Sequence, residues 1–315
     1  MTLLYRDPCF LRHDTGLHPE RSDRLRAIEA RLQAEGLLDA CVSRPCVALD
    51  PAELSPLHLP EVAQRVQWLC EHGGGRLEAD TVVSPESYQV ALTAAGTCCA
   101  AVEAVLDGSD RTALCLVRPP GHHATAHQSM GFCLFNSIAL AAQRALNRGV
   151  ARVLIVDWDV HHGNGTQDIF YAEQRVCFLS IHRFGRGFYP GSGAASETGT
   201  GAGLGYTHNV PVPLGISRTD FYTALENALH TATRTFKPEL VLLSAGFDAH
   251  HADPVGGLSL EVEDYAPLTQ LLRQVANTHC DGRLVSCLEG GYDLEALAGG
   301  VAVHLRGLFA GEKPS

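Results

Sequence analysis

The stretch Arg152-Val153-Leu154-Ile155-Val156-Asp157-Trp158-Asp159-Val160-His161-His162-Gly163-Asn164-Gly165 decides how this chain folds and where its chemistry sits. Val153 to Val156 is a continuous apolar run, the pattern of a strand buried on both faces. Side chains two apart on a strand point the same way, so Asp157, Asp159 and His161 project to one side as the strand runs out. Two carboxylates and an imidazole converging at a buried strand end are costly unless a cation joins them. A divalent metal is the simplest candidate, and a metal implies chemistry.

The same pattern extends in both directions. Apolar runs at 113–117, 152–156, 176–181, 240–245 and 284–288 read as strands. Residues 135–146, 220–235, 260–278 and 295–309 read as helices. Buried strands alternating with helices imply an α/β fold: a parallel sheet of about eight strands with helices on both faces. No linker, repeat or charge block divides residues 1–315, so one domain is expected. The glycine-rich segment 185–205 reads as a long loop. In such sheets ligands bind beyond the carboxyl ends of the strands. There lie Arg118 to His123, Asp157 to His162, Gly246 to Asp248 and Glu289 to Tyr292.

Composition narrows the function classes. The net charge of −11 argues against direct nucleic-acid binding; it suits a cationic partner such as a Lys-rich tail or a polyamine, and serves plain solubility as well. The eleven cysteines are irregularly spaced without a CxxC pair, which argues against a disulfide scaffold or a cysteine zinc site; Cys115, Cys177 and Cys287 lie in apolar runs. No stretch is read as a membrane span, and Met1 to Asp7 lack the features of a signal peptide. A cytoplasmic protein is expected.

Asp159 and His161 are the first two metal ligands on this reading, with Asp248, which also follows a buried strand, the best third; alone, it would pass for a helix cap. Two carboxylates and one imidazole leave a position open, as in catalytic zinc sites, where the ion acidifies water and polarises a carbonyl. His122 and His123, adjacent on an extended segment, are expected to point apart, which suits proton transfer better than shared chelation. Asp157 is a fit partner for one of them and Asn164 for the other. Tyr292, after Gly290-Gly291, could offer a phenol to a developing oxyanion. Read alone, the histidines could be satisfied core residues and Tyr292 an ordinary half-buried tyrosine.

Together these residues resemble the zinc-dependent histone deacetylase family, which shares its fold with arginases and acetylpolyamine amidohydrolases. The matching segments are His18-Pro19-Glu20-Arg21, Ser84-Pro85-Glu86-Ser87-Tyr88, Arg118 to Ala124, Gly131-Phe132-Cys133-Leu134-Phe135-Asn136, Asp157 to Gly165, Tyr189-Pro190-Gly191-Ser192-Gly193, Ala245 to Asp248 and Glu289 to Tyr292, in family order along nearly the whole chain. The resemblance implies one zinc ion on Asp159, His161 and Asp248. It implies His123 as general base and acid, His122 as its electrostatic partner, and Asp157 and Asn164 as the holders of these imidazoles. It makes Tyr292 the polarising phenol, and Gly131, Phe132 and Tyr189 the wall of an acyl-lysine tunnel. It also implies potassium: one site at Asp157, Asp159, His161, Ser180 and Ile181, another at Phe170, Glu173, Val176 and Tyr206. Asn164 is the class II form, and Tyr189 stands where Phe is usual. Ferrous iron suits the same ligands as zinc.

The implied reaction is removal of acetyl, or a related acyl group, from lysine side chains of proteins or peptides. Acetylpolyamine deacetylation is the alternative. Class IIb polyamine enzymes place a Glu seven residues past the last zinc ligand, where this chain has Val255, and that ranks acetyl-lysine first. Bacterial-type polyamine enzymes resemble the chain at Leu77 to Thr81 but carry a longer insertion ahead of it than Glu71 to Arg76. A binuclear arginase-type site would need carboxylates where Gly163 and His250 stand. A non-catalytic acyl-lysine-binding module is the last rival, although every catalytic position holds a competent residue. The oligomeric state is not legible.

Overall fold

The apolar run at 153–156 becomes a central strand of an eight-stranded sheet. The computed structural model describes residues 1–55 and 57–309; the final residues of the domain expected over 1–315 lie outside them. In chain order the strands are β1 (Thr2–Tyr5), β2 (Cys41–Arg44), β3 (Gly75–Arg76), β4 (Val82–Val83), β5 (Thr112–Cys115), β6 (Val153–Asp157), β7 (Val176–Arg183), β8 (Thr207–Val212), β9 (Leu240–Ala245) and β10 (Leu284–Leu288). The helices are α1 (Asp23–Ala34), α2 (Pro60–Glu71), α3 (Ser87–Leu106), α4 (Ser137–Asn147), α5 (Asn164–Phe170), α6 (Arg218–Phe236), α7 (Tyr265–His279) and α8 (Leu294–Phe309). The main sheet runs β2-β1-β5-β10-β9-β6-β7-β8, and every neighbouring pair is parallel. A separate antiparallel ribbon pairs β3 with β4.

The strands of the middle are apolar along their whole length because both faces are covered. Helices α2, α3, α4 and α5 pack in one series, and α1, α8, α7 and α6 in another. Parallel strands must return through crossovers, and those helices are the crossovers. Strands β5, β10, β9 and β6 are consecutive neighbours. Their carboxyl ends carry the four segments singled out in the sequence, which brings residues 118–123, 289–292, 246–248 and 157–161 side by side.

Some expectations are corrected. The helix expected from 260 begins at Tyr265, because Glu261 and Asp264 form a capping box on a preceding 3-10 turn. Helix α3, at 20 residues, is long and apolar enough to cross a membrane, contrary to the reading that no stretch is; most of it is buried against α4 and β5. All the cysteines are free, as expected. Cys98, Cys115 and Cys287 nonetheless come together in the core despite their irregular spacing, and burial holds the Cys115 thiol well above its ordinary pKa, which keeps it a small hydrophobe.

Helix α3 comes unusually close to residues 47–49, which follow β2. A Cβ on Gly96 would meet Val47 O and Leu49 N at 2.4 Å. Alanine is normally better than glycine inside a helix by about 1 kcal/mol, but overpacking against backbone costs roughly 1–3 kcal/mol. Gly96→Ala is therefore expected to lower the urea midpoint of unfolding; a raised midpoint would show that the contact yields freely.

Candidate active site

Strand β6 ends at Asp157, and the chain then turns on its own carboxylates. Asp159 N donates to Asp157 Oδ1 at 3.1 Å and His161 N to Asp159 Oδ1 at 2.9 Å. These two Asx turns do what the strand alternation was expected to do: they carry Asp159 and His161 inward. Asp248 arrives from the end of β9. His161 Nδ1 lies 3.1 Å from both Asp159 Oδ1 and Asp248 Oδ2, and a donor atom from each of the three lies within 4.8 Å of the others. Neighbouring loops fix the carboxylates further: Gly290 N donates to Asp159 Oδ2 at 2.8 Å, and Val160 N to Asp248 Oδ1 at 2.9 Å.

This donor set fits a zinc-like ion: two carboxylates and an imidazole, all buried, with donor atoms converging on one point. The charges argue the same way. Burial opposes an imidazolium at His161, yet its hydrogen bonds to Asp159 and Asp248 push its pKa up to about 9. With the polypeptide's charges alone, a proton on His161 supplies the positive charge that these carboxylates require. A divalent cation would supply it without the proton.

The histidine pair does not point apart. The His122 and His123 rings lie 4.0 Å apart at 41°, because the segment turns after Gly121 instead of running extended. Their partners are nonetheless the expected ones. His122 Nδ1 donates to Asp157 Oδ2 at 2.9 Å, and His123 Nδ1 to Asn164 Oδ1 at 2.7 Å. Burial works against a charge on His122, but Asp157, Asp159 and Glu289 outweigh it and hold its pKa well above the usual histidine value. His123 goes the other way, driven well down by burial and by positive His122 and His161. The surroundings thus favour the charged form of His122 and the neutral form of His123.

A cavity of about 100 Å³ opens onto this centre. His123, His161 and Tyr292 line its buried part, with Gly131, Phe132 and Tyr189 beside them. Asp80 and Val255 complete it and are partly exposed, so the cavity runs to the surface. Gly131 and Phe132 have φ of +55° and +69°. A phenylalanine held in the left-handed region is strained, and such strain clusters at functional walls. A larger groove of about 370 Å³, lined in part by Phe221, Tyr222 and Leu268, lies away from these catalytic groups.

The remaining expected residues fall as follows. Asp157 and Ser180 are paired in register across β6 and β7, with Ile181 next along, so the first expected cation set gathers at the carboxyl ends of those strands. Phe170 ends α5, Val176 opens β7 and Tyr206 precedes β8, which places the second set, with Glu173, around the amino end of β7. There the carbonyl of Phe170 accepts from Glu173 N, and that of Tyr206 from Phe178 N. His250, the residue a second metal would want replaced, turns away: its Nδ1 accepts from Ala252 N, and its Nε2 lies 3.6 Å from Glu261. At Gly163 a Cβ would sit 2.1 Å from Asp157 Oδ2, so no carboxylate side chain fits there.

Several residues of the site were not read from the sequence. Glu289 opens the segment that ends in Tyr292, with no role of its own expected. Its buried carboxylate accepts from Gly121 N at 2.7 Å, His122 N at 3.2 Å and Ser244 Oγ at 3.0 Å. An acid at the end of a buried strand was the available signal. Arg24 reaches from α1 to hold the Tyr292 turn, donating to the carbonyls of Gly291, at 2.7 Å, and Glu289, with its guanidinium 5.1 Å from the Tyr292 ring. Asp253 accepts from Tyr292 N at 2.7 Å. Phe188 stacks on His161 at 5.0 Å. Nothing local in the sequence marks these three.

The histone deacetylase domain family matches residues 18–308. The chain belongs to that family. A relative from Archaeoglobus fulgidus, named probable deacetylase, is 37% identical over 91% of this chain and 80% of its own length. The human polyamine deacetylase HDAC10 is 39% identical over 94% of this chain, which spans only 45% of that protein. Among solved structures, the HDA15 HD domain superposes with a TM-score of 0.92 at 37% identity, covering all of this chain and 90% of that one. The fold is that of the histone deacetylases, and the family is one of amidohydrolases.

The centre is packed too tightly to accept a side chain at Gly290. A Cβ there would lie 2.2 Å from Asp248 Oδ2 and 2.5 Å from Asp159 Oδ2. Disturbing groups that orient metal ligands costs about 10–100-fold in affinity. Gly290→Ala is expected to weaken zinc binding, measured by competition with a chromogenic chelator, by about that factor while the far-ultraviolet circular dichroism is kept; unchanged affinity would refute this packing argument.

Proposed function

We propose that the chain is a zinc-dependent hydrolase that removes acetyl groups from N-acetylated primary amines, the acetyl-lysine side chain being the substrate that the sequence ranks first. The observation that carries this is one cavity shared by His161, by His123 with its Nδ1 occupied by Asn164, and by the Tyr292 phenol. Asp159, His161 and Asp248 would hold the ion, which when bound supplies Lewis acidity for the carbonyl and for water. Potassium beside β6 and β7 belongs to the same proposal.

The chain's own groups divide the work. His123 presents Nε2 as the proton acceptor, since Nδ1 carries its hydrogen toward Asn164. It takes a proton from the attacking water as the oxygen–carbon bond forms, and returns a proton to the nitrogen as the carbon–nitrogen bond breaks. Acetate and a free amine result. His122, paired with Asp157, adds a fixed positive charge beside the reacting atoms. Tyr292, held by Arg24 and Asp253, donates its hydroxyl hydrogen to the carbonyl oxygen as negative charge grows there. Burial holds the Tyr292 hydroxyl well above its ordinary pKa, with Asp248 and Asp159 adding to the effect against Arg24, so it remains a donor.

Removing one oxyanion donor costs about 10²–10³-fold in kcat. Tyr292→Phe is expected to lose kcat on that scale, with little change in KM, when acetate release from an acetyl-lysine peptide is followed. Near-normal kcat would remove Tyr292 from the mechanism.

A further inference from the structure

The side-chain amide of Asn164 is held at both ends. Its Oδ1 accepts from His123 Nδ1 at 2.7 Å, and its Nδ2 donates to Met130 Sδ at 3.5 Å. Gln128 Nε2 donates to the same sulfur at 3.0 Å. A thioether accepts hydrogen bonds but has none to give. It therefore suits the amino end of the Asn164 amide and not the carbonyl end, and it favours the orientation that turns Oδ1 toward the imidazole. With the amide reversed, Nδ2 would face His123 Nδ1. The ring hydrogen would then move to Nε2, and the proton acceptor of the reaction would be lost.

The sulfur is within reach of small reagents. Met130 is partly exposed, and Met1 is the only other methionine in the chain. A backbone bridge from Met130 to Cys133 closes the corner that carries Gly131 and Phe132, so the sulfur and the tunnel wall belong to one turn. The thiol of that corner competes poorly for oxidants. Burial holds the Cys133 pKa well above its ordinary value, and a protonated thiol is a weak nucleophile.

We propose that Met130 positions Asn164, and through it His123, and that oxidation of Met130 by peroxide turns the hydrolase down reversibly. The thioether sulfur gives up two electrons. The oxygen–oxygen bond of hydrogen peroxide breaks, one oxygen binds the sulfur as a sulfoxide, and the other leaves as water with both hydrogens. A sulfoxide reductase returns the two electrons from a thiol. The geometry shows why the product disturbs the site. A hydrogen bond to the new oxygen alone spans about 2.9 Å, so no oxygen fits between Sδ and the two amides at their present separations. Placed elsewhere, it leaves the positive end of the sulfur–oxygen dipole facing both amino groups. Either way Asn164 loses the acceptor that fixes its orientation. This rests on the roles given above to His123 and Asn164.

The test treats the zinc-loaded protein with hydrogen peroxide, locates added oxygen by peptide mass spectrometry, and follows hydrolysis of an acetyl-lysine peptide. One oxygen is expected on Met130, with kcat down by roughly tenfold or more and KM little changed, a part of the roughly 10²–10⁴-fold that a positioned proton acceptor contributes. Methionine sulfoxide reductases for both epimers, supplied with a thiol reductant, are expected to restore kcat; the reductant alone is not. Met130→Leu keeps the packing volume but offers no acceptor. It is expected to lose kcat several-fold before treatment and nothing further on treatment. If that variant fails to fold, the comparison of reductases with reductant alone carries the test. No oxygen on Met130, oxygen there with kcat unchanged, a further loss in treated Met130→Leu equal to that of the unmodified protein, or recovery by reductant alone would each overturn the oxidation site while leaving the deacetylase reading intact. Untreated Met130→Leu with full kcat would overturn the positioning role. No hydrolysis by the untreated, unmodified protein would remove the deacetylase reading, and this proposal with it.

Discussion

The structure depends on a concentration of buried negative charge. Asp157, Asp159, Asp248 and Glu289 are almost completely enclosed, at the ends of strands that neighbour one another. Isolated carboxylates do not survive such burial. Each here is answered locally: Asp157 by His122, Glu289 by two backbone N–H groups and Ser244, Asp159 and Asp248 by His161 and neighbouring backbone. What these partners leave uncompensated at the last two is what a single divalent ion would match. The glycines follow from the same constraint, because loops that press backbone against carboxylates have no room for a Cβ at Gly163 or Gly290.

Much of this was legible in the sequence, for a physical reason. Strands buried on both faces are apolar throughout, so β6, β9 and β10 stand out, and β7 is found although it runs on past its apolar start. Strands β1 and β2 do not: β5 is as short, but its apolar run continues to Val117, whereas β1 stops at Tyr5 before Arg6 and β2 is partly exposed at the sheet edge. Strand β8 alternates without a clean apolar run. Chemistry-bearing residues were legible because they follow strands, where polar side chains are conspicuous. The residues that hold them were not: Arg24 meets Gly291 across 267 positions, and no local pattern announces a contact of that kind. The expectation that His122 and His123 point apart treated a turning segment as extended.

The reacting centre and the substrate-reading wall differ in how they are made. The centre is assembled from the ends of four adjacent strands. The wall is assembled from a glycine–phenylalanine corner in left-handed backbone, a phenol and a short turn. A centre built on strand ends and a wall built on loops let one sheet architecture serve different substrates.

The central claim is that one buried cation, not two and not none, is what these carboxylates are arranged to hold, and that amide hydrolysis depends on it. The most direct measurement strips the protein of metal, restores zinc stepwise, and follows bound ion per chain and acetate release from an N-acetylated amine in the same samples. The account predicts that acetate release rises in proportion to bound ion and levels off at one per chain. Full activity in the stripped protein, or activity that appears only as a second ion binds, would contradict it.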